Sequence, residues 1–148
     1  MQKNILVAIN DSMSSRWVMD YIVDLASCPE DWNITLMHLF RSPGASEELM
    51  GKKFTAELPA RYQKLLDSAR DKLVHHGFLE ENIWLLLVRD PYPTIADGIV
   101  DQYRKGDYDL VVIGRKRMTK AEEFVRGDVS VKLIRAIAGA GILVVTSD

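Results

Sequence analysis

The sequence predicts a doubly wound α/β domain, a five-stranded parallel sheet with helices on both faces. Five short runs rich in β-branched and aliphatic residues are spread along the chain. They are nearly continuous rather than alternating, which is how strands read when both faces of a sheet are covered. Segments with helical spacing separate them, so strand and helix alternate throughout, and parallel strands joined in this way cross over right-handedly. A chain of 148 residues suits one domain, 1–148, and buries roughly 70% of its unfolded surface with no need of disulfide or metal.

The first strand is Asn4 to Ile9, NILVAI. A helical stripe follows at Trp17, Val18, Tyr21, Ile22 and Leu25, with Ser12 or Ser14 as its candidate N-cap. Cys28, just before Pro29 where this helix should end, reads as a small buried hydrophobe. The second strand is Ile34 to Phe40, ITLMHLF. His38 within it reads as packed and hydrogen-bonded rather than catalytic, because no serine carries the G-x-S-x-G surroundings of a nucleophile elbow. The connection from Arg41 to Thr55 mixes Pro43, Gly44 and Gly51 with Glu47 and Glu48, and could serve as a lid, a partner surface or a mobile excursion. Gly51-Lys52-Lys53 within it is no P-loop, since Lys53 stands where Ser or Thr should meet magnesium.

The second helix carries Leu58, Tyr62, Leu65, Leu66, Ala69 and Leu73 and closes at Gly77. His75 and His76 sit where side-chain cations meet a helix carboxyl end, and as neighbours on a helix they point apart and make a poor metal pair. The third strand is Ile83 to Val88. The third helix has Ile95, Ile99 and Tyr103 and is opened by Pro93. Strand four is Asp109 to Ile113; the last helix, with Leu133, Ile134 and Ile137, closes at Gly139, and Gly141 to Thr146 is the final strand.

A formal charge of −2 argues against nucleic acid as a partner, because duplex-binding domains carry a clear basic excess. Met1-Gln2-Lys3-Asn4 runs straight into a strand with no charged leader, and no stretch approaches the ~18 apolar residues of a membrane span. The expectation is a cytoplasmic protein without a membrane partner.

In open α/β sheets, ligands bind beyond the carboxyl ends of the strands. That selects Asn10 to Ser15, Arg41 to Ser46, Arg89 to Pro93 and Gly114 to Ser130. The last stretch has a glycine near each end, with Arg115, Lys116, Arg117, Lys120 and Arg126 set against Glu122, Glu123 and Asp128. It reads either as a phosphate cradle or as a solvated hairpin whose charges cancel locally.

The pieces ILVAINDS, ITLMHLF, DYDLVVIG and VSVKLIRAIAGAGILVVT, in this order and over essentially the full chain, resemble the universal stress protein family. The resemblance implies the strand order 3-2-1-4-5 and a binding or regulatory module rather than an enzyme. It also implies a homodimer through the edge strand Gly141 to Thr146, with a further protein partner left unidentified. Members of the family that bind ATP carry glycine, two residues, glycine, nine residues, then glycine followed by Ser or Thr. On this chain those positions fall at Gly114, Arg117, Gly127 and Asp128. The family's aspartate after the first strand falls at Asn10, and its Gly-Asp-Pro after the third becomes Arg89-Asp90-Pro91.

Asp128 is the departure with the largest consequence. A carboxylate ~4 Å from a phosphate costs on the order of 4 kcal/mol at an effective dielectric of ~20, about three decades in affinity, unless a metal ion or an arginine bridges it. The resemblance and its departures together predict a member that does not bind ATP tightly, takes no cofactor and acts through protein contacts. The competing expectation is ATP with Mg, or AMP, held by Ile9, Asn10, Leu39, Ile113, Gly114, Arg117, Gly127, Asp128, Val129 and Ser130, with slow hydrolysis. Neither expectation includes a catalytic residue or a protein metal ligand.

Overall fold

The computed structural model describes residues 2–10, 12–40, 52–89 and 92–148. Most of the connection from Arg41 to Thr55, and both Asp90 and Pro91, lie outside the described residues. Five strands, β1 (Lys3–Ala8), β2 (Trp32–Leu39), β3 (Ile83–Val88), β4 (Leu110–Lys116) and β5 (Gly141–Ser147), form one sheet in the order β3-β2-β1-β4-β5. Every neighbouring pair is parallel. The helices are α1 (Met13–Leu25), α2 (Lys52–His75), α3 (Ile95–Lys105), α4 (Lys120–Arg126) and α5 (Val129–Ala136).

The sheet is buried on both faces, as the continuous apolar runs require. Ile5, Val7, Ile34, Leu36 and Val112 meet Val18 and Ile22 of α1 and Leu66 and Leu73 of α2. Leu6, Met37, Val111 and Ile113 point the other way, against Ala96 and Ile99 of α3 and Leu133 of α5. Each of these buried side chains other than Ala96 contributes about 1.5–3 kcal/mol.

Several element ends and faces differ from expectation. Strand β3 has the predicted bounds, whereas β1 stops before Ile9 and β2 starts at Trp32. Phe40 falls just beyond β2, although its N–H still donates to the Val88 carbonyl at 3.1 Å. Strand β4 runs three residues past Ile113, because β5 offers Val145, Thr146 and Ser147 as ladder partners to Gly114, Arg115 and Lys116. Backbone pairing carries the strand on after its apolar residues end.

On α1 the buried side is Ser14, Ser15, Val18, Met19 and Ile22, while Trp17, Tyr21 and Leu25 of the expected stripe are half-exposed. Cys28 is exposed rather than buried, because the chain leaving α1 enters a short surface turn in which the Cys28 carbonyl accepts the Asp31 N–H at 3.0 Å. On α5, Ile134 faces solvent and Leu133 takes the core position, with Ile137 packed beside it.

Other signals hold. Helix α2 ends at His75, Gly77 takes φ +97° and the Phe78 N–H returns to the Leu73 carbonyl at 3.1 Å. The His76 Nδ1 lies 2.8 Å from the Lys72 carbonyl at that helix end. Among the described residues, no helix is long and apolar enough to cross a membrane.

Candidate functional site

Strand order reverses between β1 and β4, so the carboxyl ends of these two strands frame the place where a ligand is expected. Their register pairs Ala8 with Ile113, which brings Ile9 and Asn10 alongside Gly114. The Ile9 N–H donates to the Met37 carbonyl at 2.8 Å, and its own carbonyl lies 2.7 Å from the His38 Nδ1. Asn10 organises the entry to α1. Its Oδ1 accepts the Ser12 N–H at 2.9 Å and the Ser15 hydroxyl at 3.0 Å, and its N–H donates to Ser15 Oγ at 2.7 Å. Ser12 holds the N-cap position, yet its hydroxyl bonds to Ser14 Oγ at 2.7 Å and makes no cap bond.

Gly114 lies within β4, not in a loop. A Cβ there would sit 2.9 Å from the Ser14 carbonyl oxygen and 3.0 Å from its carbon. The glycine lets α1 approach the sheet. Arg117 at the next motif position continues the ladder, its N–H donating to the Ser147 carbonyl at 2.8 Å, and its largely exposed side chain ends 3.9 Å from Asp148. Among the described residues, no residue other than glycine has positive φ, so Arg117 bears no backbone strain.

The expected hairpin between Gly114 and Ser130 contains helix α4. Thr119 caps it, with Oγ1 accepting the Glu122 N–H at 3.2 Å. The pattern Thr119-Lys120-Ala121-Glu122 is a capping-box signature, and it was the signal by which the sequence could have given this helix. Gly127, at φ +74°, ends α4 with its N–H on the Glu123 carbonyl at 2.8 Å.

Asp128 then opens α5. Its Oδ1 accepts the Ser130 N–H at 3.0 Å and the Ser130 hydroxyl at 2.6 Å. Its Oδ2 lies 3.0 Å from Arg115 Nη2, which also binds the Glu123 carboxylate. Burial pushes the Asp128 carboxyl up, but the two Ser130 bonds, the Arg115 charge and the Val131 N–H outweigh it and hold the group below its ordinary range. The carboxylate that the sequence leaves facing an anion is thus bridged by an arginine of β4. Ser130 is buried and its hydroxyl is committed to Asp128, while Val129 is half-buried against the α3–α5 layer.

Leu39 and Ile113 are buried in that same layer, packed as core. The site instead gains aromatic residues that sequence reasoning assigned elsewhere. The His38 ring is 4.2 Å from Tyr62 of α2 and stacks with Phe40 at 6.3 Å, and the Arg89 guanidinium lies over Phe40 at 5.3 Å. Arg89 therefore lies on an aromatic face. The His38 Nε2 is buried with no partner among the described residues. A cleft of about 430 Å³ opens beside Ile9 and Asn10 between α1 and α2. None of the other expected site residues lines it.

Fold and site together define an open α/β domain with five parallel strands, helices on both faces and a helix N-terminus at the switch point. A model of the universal stress protein family matches residues 1–138. No curated protein sequence matches the chain. A universal stress protein solved in complex with cAMP superposes with a TM-score of 0.71 at 16% identity, over 99% of this chain and 98% of that one. UspA from Lactobacillus plantarum gives 0.69 at 16% over 97% of each chain. The Archaeoglobus fulgidus protein in complex with dAMP gives 0.57 at 20% over 97% of each. The chain belongs to the universal stress protein family, and its strand order and two-sided helix layers are those the resemblance implied.

Proposed function

We propose that this chain is a non-catalytic regulatory member of the family whose phosphate cradle is occupied by its own carboxylate, so that it does not bind ATP tightly and works through protein contacts. The observation that carries the reading is Asp128. It takes the Ser130 N–H and hydroxyl at the start of α5 and is neutralised by Arg115. A helix N-terminus attracts phosphate through unpaired N–H groups and its dipole; here a side chain already uses both. A triphosphate does not fit this residue set, because it would have to displace Asp128 from the Ser130 N–H and hydroxyl and from Arg115.

The partner would include a second copy of this chain. Among the described residues, strand β5 is the last in the sheet order, pairing with β4 on one side only, and carries Ile142, Leu143 and Val144. An apolar edge of this kind invites pairing, and antiparallel contact of Gly141 to Thr146 across a two-fold axis would cover it.

Retained nucleotide binding is the second reading, favoured by the relatives solved with cAMP and dAMP. A thermal-shift titration with Mg-ATP, AMP and cAMP separates the two. A bound ligand at a hundred times its dissociation constant stabilises by about 2.7 kcal/mol. The expected result is no shift at millimolar ATP, and a saturating shift with ATP would overturn the proposal.

A further inference from the structure

The cleft between α1 and α2 opens beside Ile9 and Asn10 and runs from there away from the closed cradle. It lies on the sheet face that carries α1 and α2, whereas α5 packs on the other face. Its floor is apolar, formed by Met19, Leu65 and Ala69. Its rims are cationic, with Arg16 on α1 and Arg61, Lys64 and Lys72 along one flank of α2. Among the described residues, no aspartate or glutamate lines it.

The cations differ in what they are bound to. Lys72 Nζ is tied to the Asp20 carboxylate of α1, which joins the two helices at one end of the cleft. Arg61 has a partner of its own. Arg16 and Lys64 have no ion partner among the described residues. Two unneutralised cations above an apolar floor match an amphiphilic anion. A phosphate monoester carries a charge of about −1.5 to −2 at neutral pH and three acceptor oxygens, enough for both cations, whereas a carboxylate brings a single charge. The guanidinium fork of Arg16 suits phosphate oxygens. The volume of about 430 Å³ lies within the range of small-ligand sites.

We propose that this cleft binds a small organic phosphate monoester, its phosphate held by Arg16 and Lys64 and its apolar body resting on Met19 and Leu65. The phosphate of this ligand sits apart from the α5 N-terminus, while Ile9 and Asn10 at the mouth of the cleft are shared with the competing nucleotide reading.

The probe is 1-naphthyl phosphate, titrated by calorimetry and by amide chemical shifts, with inorganic phosphate and 1-naphthol as comparison ligands. Saturable binding of the ester is expected, with shifts at Arg16, Lys64 and Ser68. Lys64→Glu, on an exposed helix flank, should weaken it roughly tenfold or more, the worth of one charge-assisted bond. Arg16→Gln should weaken it comparably, and both variants should keep the parent melting temperature. Failure to saturate at millimolar ester, unchanged affinity in both variants, or shifts centred on Gly127 to Ser130 would each overturn the site. Equal affinity for inorganic phosphate or for 1-naphthol would overturn the ligand class.

Discussion

Replacing Asp128 by serine restores the hydroxyl that ATP-binding relatives carry at this position and removes one negative charge from the α5 N-terminus. Serine caps a helix about as well as aspartate, so the cap bond to the Ser130 N–H is retained in kind. What is lost is the 3.0 Å pair with Arg115, in which the two side chains are 27% and 12% exposed, together with the 2.6 Å bond from the Ser130 hydroxyl. The pair contributes about 1 kcal/mol and the hydroxyl bond about 1 kcal/mol more, and Arg115 keeps Glu123. The melting temperature should fall by no more than about 4–8 °C for a chain of this size.

The gain in ATP affinity is larger. Removing a unit charge ~4 Å from a phosphate recovers up to about 4 kcal/mol at an effective dielectric of ~20, and solvent screening reduces that. Binding should tighten roughly tenfold to a thousandfold, read by calorimetry with Mg-ATP. Asp128→Asn, which keeps the shape and loses the charge, should share most of the gain. A folded Asp128→Ser protein that binds ATP no more tightly than the parent would mean that the carboxylate is not what closes the cradle.

Gly114→Ala places a methyl 2.9 Å from the Ser14 carbonyl oxygen and should destabilise by about 1–3 kcal/mol in urea unfolding; a neutral result would mean that α1 moves away at little cost. Thr119→Ala removes the α4 cap and should cost about 1 kcal/mol, with faster amide exchange confined to Lys120–Arg126. Because the Asp128 carboxyl lies below its ordinary value, its stabilisation is fully present above pH ~4 and fades as pH falls through the folded pKa. Acid unfolding curves of Asp128→Ser should therefore be shallower than the parent's below pH ~4, and parallel curves would contradict the assignment. Val144→Lys should shift the proposed dimer to monomer in light scattering at micromolar concentration, and a parent that is already monomeric removes the proposed β5 contact.

The fold was legible because each strand announced itself as a continuous apolar run and each helix as a spaced stripe. Where the reading missed, the cause is local. Helix α1 was oriented by its large residues Trp17, Tyr21 and Leu25, yet the sheet side is led by Ser14 and Ser15, because Ser14 must sit close to Gly114. Strand parity was available for the site and points the same way. Residues two apart share a face, so Ile113 could not line the face of Val112 and Gly114, and packs opposite as core. The Arg115–Asp128 pair was not legible, since it forms only when β4 extends past Gly114 and the chain turns back through α4. The helix hidden in the supposed hairpin carried its own cap signature at Thr119 and Glu122, outweighed in the reading by the density of charge around it.

On the reading proposed above, Asp128, and not a nucleotide phosphate, satisfies the start of α5. Amide spectra of the parent protein titrated with Mg-ATP to millimolar concentration test it most directly. The Gly127, Val129 and Ser130 amides should stay in place, and saturating shifts at these three amides would show that a phosphate takes the position instead.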